Sequence, residues 1–138
     1  MTKLKLANSV DEGLVARGLL RPEEVRRVEV DALVDTGATA LAIPADVAEK
    51  LGVREVDRAV VKLADGTKRE VPIVADLRIE IVGRGMAGDA YVLPAGATPL
   101  IGQLQLERLD LIVDPKSRDV VVNPASPDIP LLDLLHVA

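Results

Sequence analysis

Apolar and polar residues alternate along much of this chain, which predicts a protein built mainly from β-strands. The alternation is clearest over residues 28–32 and 77–81. A period of two places one face of a strand in the core and the other in solvent. Shorter apolar runs predict further strands at residues 3–6, 56–63, 71–75, 90–93, 111–113 and 120–122.

Turn-forming residues between these runs predict three hairpins. Asp65-Gly66 lies between two β-branched runs, which is the strongest short hairpin signal in the chain. Turn-rich residues 8–13 precede an apolar piece at 14–16 and predict an outer hairpin, while residues 115–118 predict a closing one. Residues 83–88 have the spacing Gly-x-Gly-x-x-Gly, but a β-like run follows them instead of a helix. They therefore predict a glycine-rich turn rather than a phosphate-binding loop.

Two segments have helical spacing instead. Pro44 precedes residues 45–51, Val47 and Leu51 are four residues apart, and Gly52 follows the segment, which predicts a two-turn helix. Leucines three residues apart predict a second short helix within residues 103–109. The expected fold class is therefore all-β with one or two short helices.

The composition narrows the chemistry that the chain can perform. Its 138 residues are enough for one domain, cysteine is absent, and the single histidine, His136, lies in an apolar tail. Neither a cysteine nucleophile nor a Ser-His-Asp arrangement is expected, since no serine lies in a Gly-x-Ser-x-Gly turn. Carboxylates are the plentiful catalytic groups that remain.

Charge and hydropathy limit the classes of molecule that the chain is expected to bind. The net charge is −5 with scattered basic residues, so nucleic acid is not an expected partner. No apolar stretch is long enough for a signal peptide or a membrane span, so a cytoplasmic protein without a membrane partner is expected. Asp114 and Asp119 flank a proline turn and do not form a cage for a metal, and no cofactor is expected.

The strand at residues 28–34 runs directly into a carboxylate, Asp35. An ionised group beside a buried strand is costly unless hydrogen bonds compensate it. Thr36 and Gly37 can supply them through a hydroxyl and closely approaching backbone N–H groups. The pattern predicts a held, reactive aspartate, although Asp-Thr-Gly also forms ordinary turns between strands.

Three motifs follow one another in the chain. A strand ends in Asp35-Thr36-Gly37-Ala38, an Asp-Gly-tipped ribbon spans 56–75, and Leu100-Ile101-Gly102 precedes a short helix. This ordered set resembles the retroviral-protease-like (retropepsin-like) aspartic peptidases, including their small bacterial members, over residues 28–122. The resemblance implies a small closed barrel-like retropepsin fold, equivalent to half of a larger acid protease, with a flap hairpin.

The resemblance also implies roles for individual residues. Asp35 would be catalytic, Thr36 would bond to the neighbouring loop, and Gly37 would contact the peptide. Substrate would also meet Ala38 and the flap tip formed by Leu63, Ala64, Asp65, Gly66 and Thr67. The active-site loop would be supported from beneath by Leu100, Ile101 and Gly102.

The aspartic-peptidase mechanism needs two carboxylates that share one proton, and aspartic proteases are the standard example of such a pair. The chain contains a single Asp-Thr-Gly, and neither Asp65-Gly66 nor Asp114-Pro115 can complete the pair. A homodimer acting on an extended peptide is therefore expected. The alternative is a catalytically silent peptide-binding or dimerisation module that keeps the fold.

The chain is expected to divide into a peptidase domain, residues 1–123, and a tail, residues 124–138. The tail is rich in proline and then apolar. It is too short to span a membrane and too apolar to remain in water. We expect it to dock on its own domain or on the dimer partner.

Overall fold

A closed β-barrel forms the body of the protein, and the computed structural model describes residues 1–134. Its strands are β1 (Thr2–Asn8), β2 (Arg27–Val34), β3 (Ala42–Pro44), β5 (Lys68–Ile81), β6 (Arg84–Leu93) and β7 (Leu100–Ile101). They are ordered β1-β2-β7-β3-β6-β5, and the barrel closes because β1 pairs with β5 as well as with β2. The expected all-β barrel is confirmed.

Two hairpins complete the β-structure. Strand β4 (Glu55–Lys62) pairs only with β5, so the β4–β5 ribbon projects from the barrel as the predicted Asp-Gly hairpin. Strands β8 (Leu111–Val113) and β9 (Val120–Val122) form a separate two-stranded sheet, which confirms the closing hairpin.

Residues 1–134 contain three α-helices, one more than the upper expectation: α1 (Ser9–Ala16), α2 (Ala45–Leu51) and α3 (Gln103–Arg108). A 3-10 turn, Pro22–Glu24, precedes β2. Helix α2 ends at Gly52, whose φ of 63° is a left-handed conformation that glycine adopts without strain. Both predicted helices are confirmed.

The core is aliphatic, because the chain has no Phe, Trp or Cys. Branched side chains from the barrel strands meet leucines from α2 and α3 inside it. Its fully buried members include Leu4, Leu41, Ile43, Leu51, Leu77, Ile79, Ile81 and Ile101. Strand β1 contributes to this core, so the N-terminal segment is an integral part of the barrel.

The outer hairpin predicted over residues 3–16 is wrong, because helix α1 follows β1 directly. The side chain of Asn8 accepts hydrogen bonds from Val10 N and Asp11 N, and so caps the helix. Asp11 is buried, and the guanidinium of Arg26 donates to both of its oxygens at 2.9 Å. These hydrogen bonds hold the pKa of the Asp11 carboxyl below its ordinary value. The turn-rich composition of residues 8–13 therefore marked a helix cap.

The glycine-rich turn predicted over residues 83–88 is also wrong beyond its first residue, because β6 begins at Arg84. A Cβ on Gly85 would stand 2.4 Å from the Arg78 guanidinium, and one on Gly88 would stand 3.3 Å from Ile79 Cδ1. Glycine in this strand therefore leaves room for side chains of β5.

The tail leaves the barrel after β9, and its last residues, including His136, lie outside the described part of the chain. Ser126 is buried, whereas Ile129, Leu131 and Leu134 are exposed. No helix within residues 1–134 is long and apolar enough to cross a membrane.

Candidate active site

Asp35 lies at the end of β2, where that strand runs parallel to β7. Leu33 pairs with Leu100 and Val34 with Ile101 in this short parallel ladder. Asp35 N then donates to Ile101 O at 3.0 Å. The backbone of Asp35 is thereby fixed to the barrel, while its side chain is exposed.

The loop after Asp35 folds back on the carboxylate. Gly37 N donates to Asp35 Oδ1 at 2.9 Å, and Ala38 N donates to Asp35 O at 3.0 Å. A Cβ on Gly37 would stand 3.2 Å from Asp35 Oδ1, so glycine allows this close approach. The Thr36 hydroxyl has no hydrogen-bond partner among the described residues, so Gly37 supplies the bond to the carboxylate.

Helix α3 supports the loop from beneath through its first N–H groups. Gln103 N donates to Ala38 O at 2.8 Å, and Leu104 N donates to Thr39 O at 3.0 Å. Gly102 and Ile101 are buried directly before the helix. The predicted support residues Leu100, Ile101 and Gly102 are therefore brought together with the predicted catalytic residues.

The tip of the β4–β5 hairpin is stabilised by its own residues. Leu63 N donates to Thr67 O at 2.8 Å, and Gly66 has a φ of 85°, which a tight turn requires and glycine permits. Asp65 Oδ1 accepts hydrogen bonds from Thr67 Oγ1 at 2.6 Å and Thr67 N at 2.9 Å. The Thr67 hydroxyl, followed by its backbone N–H, lowers the pKa of Asp65. The Asp65 carboxylate thus stabilises the turn.

A cleft of about 400 Å³ lies between the Asp35 loop and this hairpin. Four residues singled out from the sequence line it: Gly37, Ala38, Leu63 and Leu100. The hairpin tip from Ala64 to Thr67 is exposed and is not part of the lining. Asp35 itself does not line the cleft, whereas Gly37 and Ala38, which follow it in the same loop, form part of the wall.

Sequence reasoning missed further residues of the cleft, which come from β3, β4 and β6. They are mostly aliphatic, and the main members are Ala42, Val60, Val61, Tyr91 and Leu93. Apolar runs marked Val60, Val61, Tyr91 and Leu93 as strand residues. Which strand faces meet across a cleft depends on how the barrel closes, and the local sequence does not show this. Within residues 1–134, no three His, Asp or Glu side chains are grouped closely enough to hold a metal ion.

The last observation on this site is the similarity of the chain to a known protein family. The family model described as "gag-polyprotein putative aspartyl protease" matches residues 23–108, which is more than half of the chain. The chain belongs to this family. A comparison with curated proteins found no match.

The family match covers β2, the Asp35 loop, the β4–β5 hairpin and α3, which are the elements around the cleft. The predicted resemblance to retroviral-type aspartyl proteases is therefore confirmed. Helix α1 precedes the matched range, and β8, β9 and the tail follow it.

Proposed function

We propose that this protein is an aspartic endopeptidase that works as a homodimer. The main supporting observation is the position of Asp35. Its carboxylate is exposed at the end of a barrel strand, on a loop fixed by backbone hydrogen bonds. Gly37 and Ala38 of the same loop line the cleft beside the projecting hairpin. A catalytic acid needs this combination of access to substrate and fixed geometry.

The dimer supplies the second carboxylate. Each chain contains one Asp-Thr-Gly, so the partner must be the Asp35 of another copy. In a two-fold symmetric dimer, a residue near the axis meets its own symmetry mate. The exposed hydroxyl of Thr36, which has no partner among the described residues, fits this arrangement because it could bond to the opposite loop.

The pair would hydrolyse a peptide bond through a bound water. The ionised carboxylate removes a proton from the water, whose oxygen then attacks the scissile carbonyl carbon. The protonated partner donates its proton to the carbonyl oxygen, which gives a neutral tetrahedral intermediate. The intermediate collapses when one hydroxyl proton returns to the carboxylate pair and the other carboxyl protonates the leaving nitrogen. The C–N bond then breaks, and the pair again carries one proton.

The substrate we infer is an extended peptide. Strands β4 and β6 and the Asp35 loop bound the cleft. An extended chain places alternate side chains on opposite walls. The lining is dominated by Ala, Val and Leu side chains, with Tyr91 as its aromatic member. Apolar side chains of medium size should therefore be preferred next to the cleaved bond.

The test is cleavage of an unfolded protein by the purified chain and by the variant Asp35→Asn. We expect the wild type to cleave and Asp35→Asn to lose activity by at least about a thousandfold, since neither carboxylate of the pair remains. Asp31→Asn is the matched control, because Asp31 is an exposed carboxylate on the same strand outside the cleft. It should cleave at the wild-type rate.

Two results would contradict the proposal. Cleavage that survives Asp35→Asn would assign the activity to other residues or to a contaminant. Tight binding of unfolded peptide without any cleavage by the wild type would favour the alternative, a silent peptide-binding module.

A further inference from the structure

The substrate cleft follows one edge of the β4–β5 hairpin. Val60, Val61, Lys62 and Leu63 are consecutive in the sequence, and all of them line the cleft. A cleft on one face of a strand would meet every second residue, so this unbroken run indicates that the cleft runs along the edge of β4. Within residues 1–134 that edge is free, because β4 pairs with β5 alone. It can therefore accept another strand.

The register of the hairpin shows which backbone groups of β4 are available to such a strand. Leu63 N donates to Thr67 O, so residues 63 and 67 form a hydrogen-bonded pair. Hydrogen-bonded and non-hydrogen-bonded pairs alternate in an antiparallel ladder, and the next pair is Lys62 with Lys68. The backbone N–H and C=O groups of Val60 and Lys62 therefore point away from β5. A peptide that adds to this edge forms its hydrogen bonds with these two residues.

An added strand also places its side chains beside those of β4. Residues directly opposite each other on neighbouring strands have side chains on the same face of the sheet, about 5 Å apart. A peptide residue opposite Lys62 therefore lies beside the Lys62 side chain. The peptide residue two positions away lies beside Val60 on the same face. Val60 is 65% exposed, so its apolar side chain is accessible to the peptide.

Lys62 has no carboxylate partner of its own. Among the described residues, neither Lys62 nor Lys68 takes part in an ion pair. These two lysines lie directly opposite each other, and like charges in that position destabilise a β-ladder. A negative charge added on the same face would relieve this repulsion.

The carboxylates of this part of the hairpin are engaged elsewhere. Asp65 accepts hydrogen bonds from the hydroxyl and the backbone N–H of Thr67. Glu70 accepts one from Arg58 Nε at 2.6 Å, which is an ion pair on the same ribbon. Neither acid forms an ion pair with Lys62. The positive charge of Lys62 is therefore left for another molecule.

The remaining lining of the cleft is also suited to a carboxylate. Within residues 1–134, no Asp or Glu lines the cleft, and Lys62 is its charged member. Thr39 and Tyr91 contribute hydroxyl groups to the mostly aliphatic wall. A hydroxyl can donate a hydrogen bond to a carboxylate oxygen. An acidic peptide side chain would meet donors and a positive charge in this cleft, without repulsion from a carboxylate in its wall.

We propose that Lys62 selects peptides that carry an acidic side chain two positions from an apolar side chain, with the acid beside Lys62 and the apolar group beside Val60. The inference rests on the proposed function and names the substrate class of the same site. In the proposed dimer each copy presents its own Lys62. Two-fold symmetry therefore places the acidic preference on both sides of the cleaved bond.

The test compares peptides of one sequence in which a single residue is Glu, Gln or Lys. That residue is moved through each position on either side of the cleaved bond, and kcat/KM is measured with the purified full chain. At one position on each side, Glu should give a kcat/KM about threefold above Gln and at least about tenfold above Lys. At the other positions the three peptides should be cleaved at similar rates.

Reversal of the charge at Lys62 tests whether this residue is responsible. In Lys62→Glu, the ratio of kcat/KM for the Glu peptide to that for the Lys peptide should fall at least about tenfold, because repulsion replaces attraction. Lys62→Met should give an intermediate ratio. Lys50→Glu is the matched control, since Lys50 is exposed on α2 outside the cleft and the change in net charge is the same. Its ratio should equal that of the wild type.

The outcomes separate this inference from the proposed function. Cleavage by the wild type with a ratio that Lys62→Glu leaves unchanged, or that Lys50→Glu lowers equally, would overturn selection by Lys62 and leave the peptidase standing. If the wild type cleaves none of the peptides, the proposed function fails, and dissociation constants of fluorescently labelled copies test Lys62 separately. Tighter binding of the Glu peptide that is lost in Lys62→Glu would support the selection, and equal binding of all three peptides would overturn it.

Discussion

Gly102 lies directly against the backbone of Ala40. A Cβ at residue 102 would stand 2.5 Å from Ala40 N and 2.7 Å from Ala40 Cα, closer than any stable contact allows. The φ of Gly102 is −99°, so its conformation is open to other residues, and the need for glycine is one of space alone. This contact joins the start of α3 to the loop that carries Asp35.

Gly102→Ala should therefore damage the active-site loop. The added methyl meets backbone atoms that cannot rotate away, and we expect a loss of about 1–3 kcal/mol of unfolding free energy, as for other overpacked sites. Peptidase activity should fall with it, because the loop shifts. Gly13→Ala is the control: Gly13 lies in α1 with nothing within 4 Å of an added methyl, so this change should be neutral or stabilising. Urea unfolding measures both, and an unaltered Gly102→Ala midpoint would contradict the account.

Gln105 should be replaceable with a gain in stability. Its side chain is 1% exposed, and its Oε1 has no hydrogen-bond partner among the described residues. A buried acceptor without a partner costs about 1–3 kcal/mol, so Gln105→Met should raise the unfolding free energy by roughly 1 kcal/mol. Gln103→Met should give no gain, because Gln103 Nε2 is bonded to exposed Glu107. Thermal unfolding of both variants is the measurement, and a lower midpoint for Gln105→Met would show that the amide is satisfied.

The sequence predicted most of the barrel because local patterns and tertiary packing agree there. Alternation over residues 77–81 marked a real strand, and Asp65-Gly66 marked a real hairpin. Asn8 shows where that reasoning fails, since a residue that favours turns is also a strong helix cap. Gly85 shows another limit of sequence reasoning. The Arg78 side chain occupies the space beside Gly85, and Arg78 lies on the neighbouring strand.

The candidate site was predictable only as far as its residues lie close together in the sequence. Asp35, Gly37 and Leu100 were found from motifs, and the barrel brings them together. Val61 and Tyr91 were missed as cleft residues, because they line one cleft only after β3, β4 and β6 have assembled. The hydrogen bonds of the Arg84 guanidinium were hidden in the same way, since they are accepted by backbone oxygens distant in sequence.

Protonation of Asp110 should lower the unfolding free energy of the protein in acid. The Ser126 hydroxyl, the Asn123 amide and Leu131 N, in that order, lower the pKa of Asp110 to about 2, and the charge of Arg84 adds to the effect. The unfolded chain has the ordinary aspartate pKa of about 3.9, so it binds more protons between these values and stability rises with pH. The contribution of Asp110 is complete above about pH 4 and disappears as the pH falls through about 2.

Asp110→Asn tests this pH dependence. At pH 6 the variant should unfold at a lower urea concentration than the wild type, and at pH 2 the difference should shrink. Ser126→Ala removes the largest cause of the lowered pKa, so it should also reduce the pH dependence. Both comparisons are made at one protein concentration, because the proposed dimer would make the unfolding midpoint depend on concentration. An equal difference between wild type and Asp110→Asn at both pH values would contradict the prediction.

Val61 should help to select the substrate side chain. It lies on β4, is half-buried and lines the cleft, so Val61→Ala enlarges the space available to the peptide. We expect the ratio of kcat/KM for a peptide with Phe beside the cleaved bond to that for one with Val to rise about tenfold, a typical effect of one or two methyl groups in an apolar pocket. Val56→Ala is the control, because Val56 lies on the same strand outside the cleft and should leave the ratio unchanged. A ratio that moves equally in both variants would mean that β4 acts through hairpin stability instead of direct contact with the side chain.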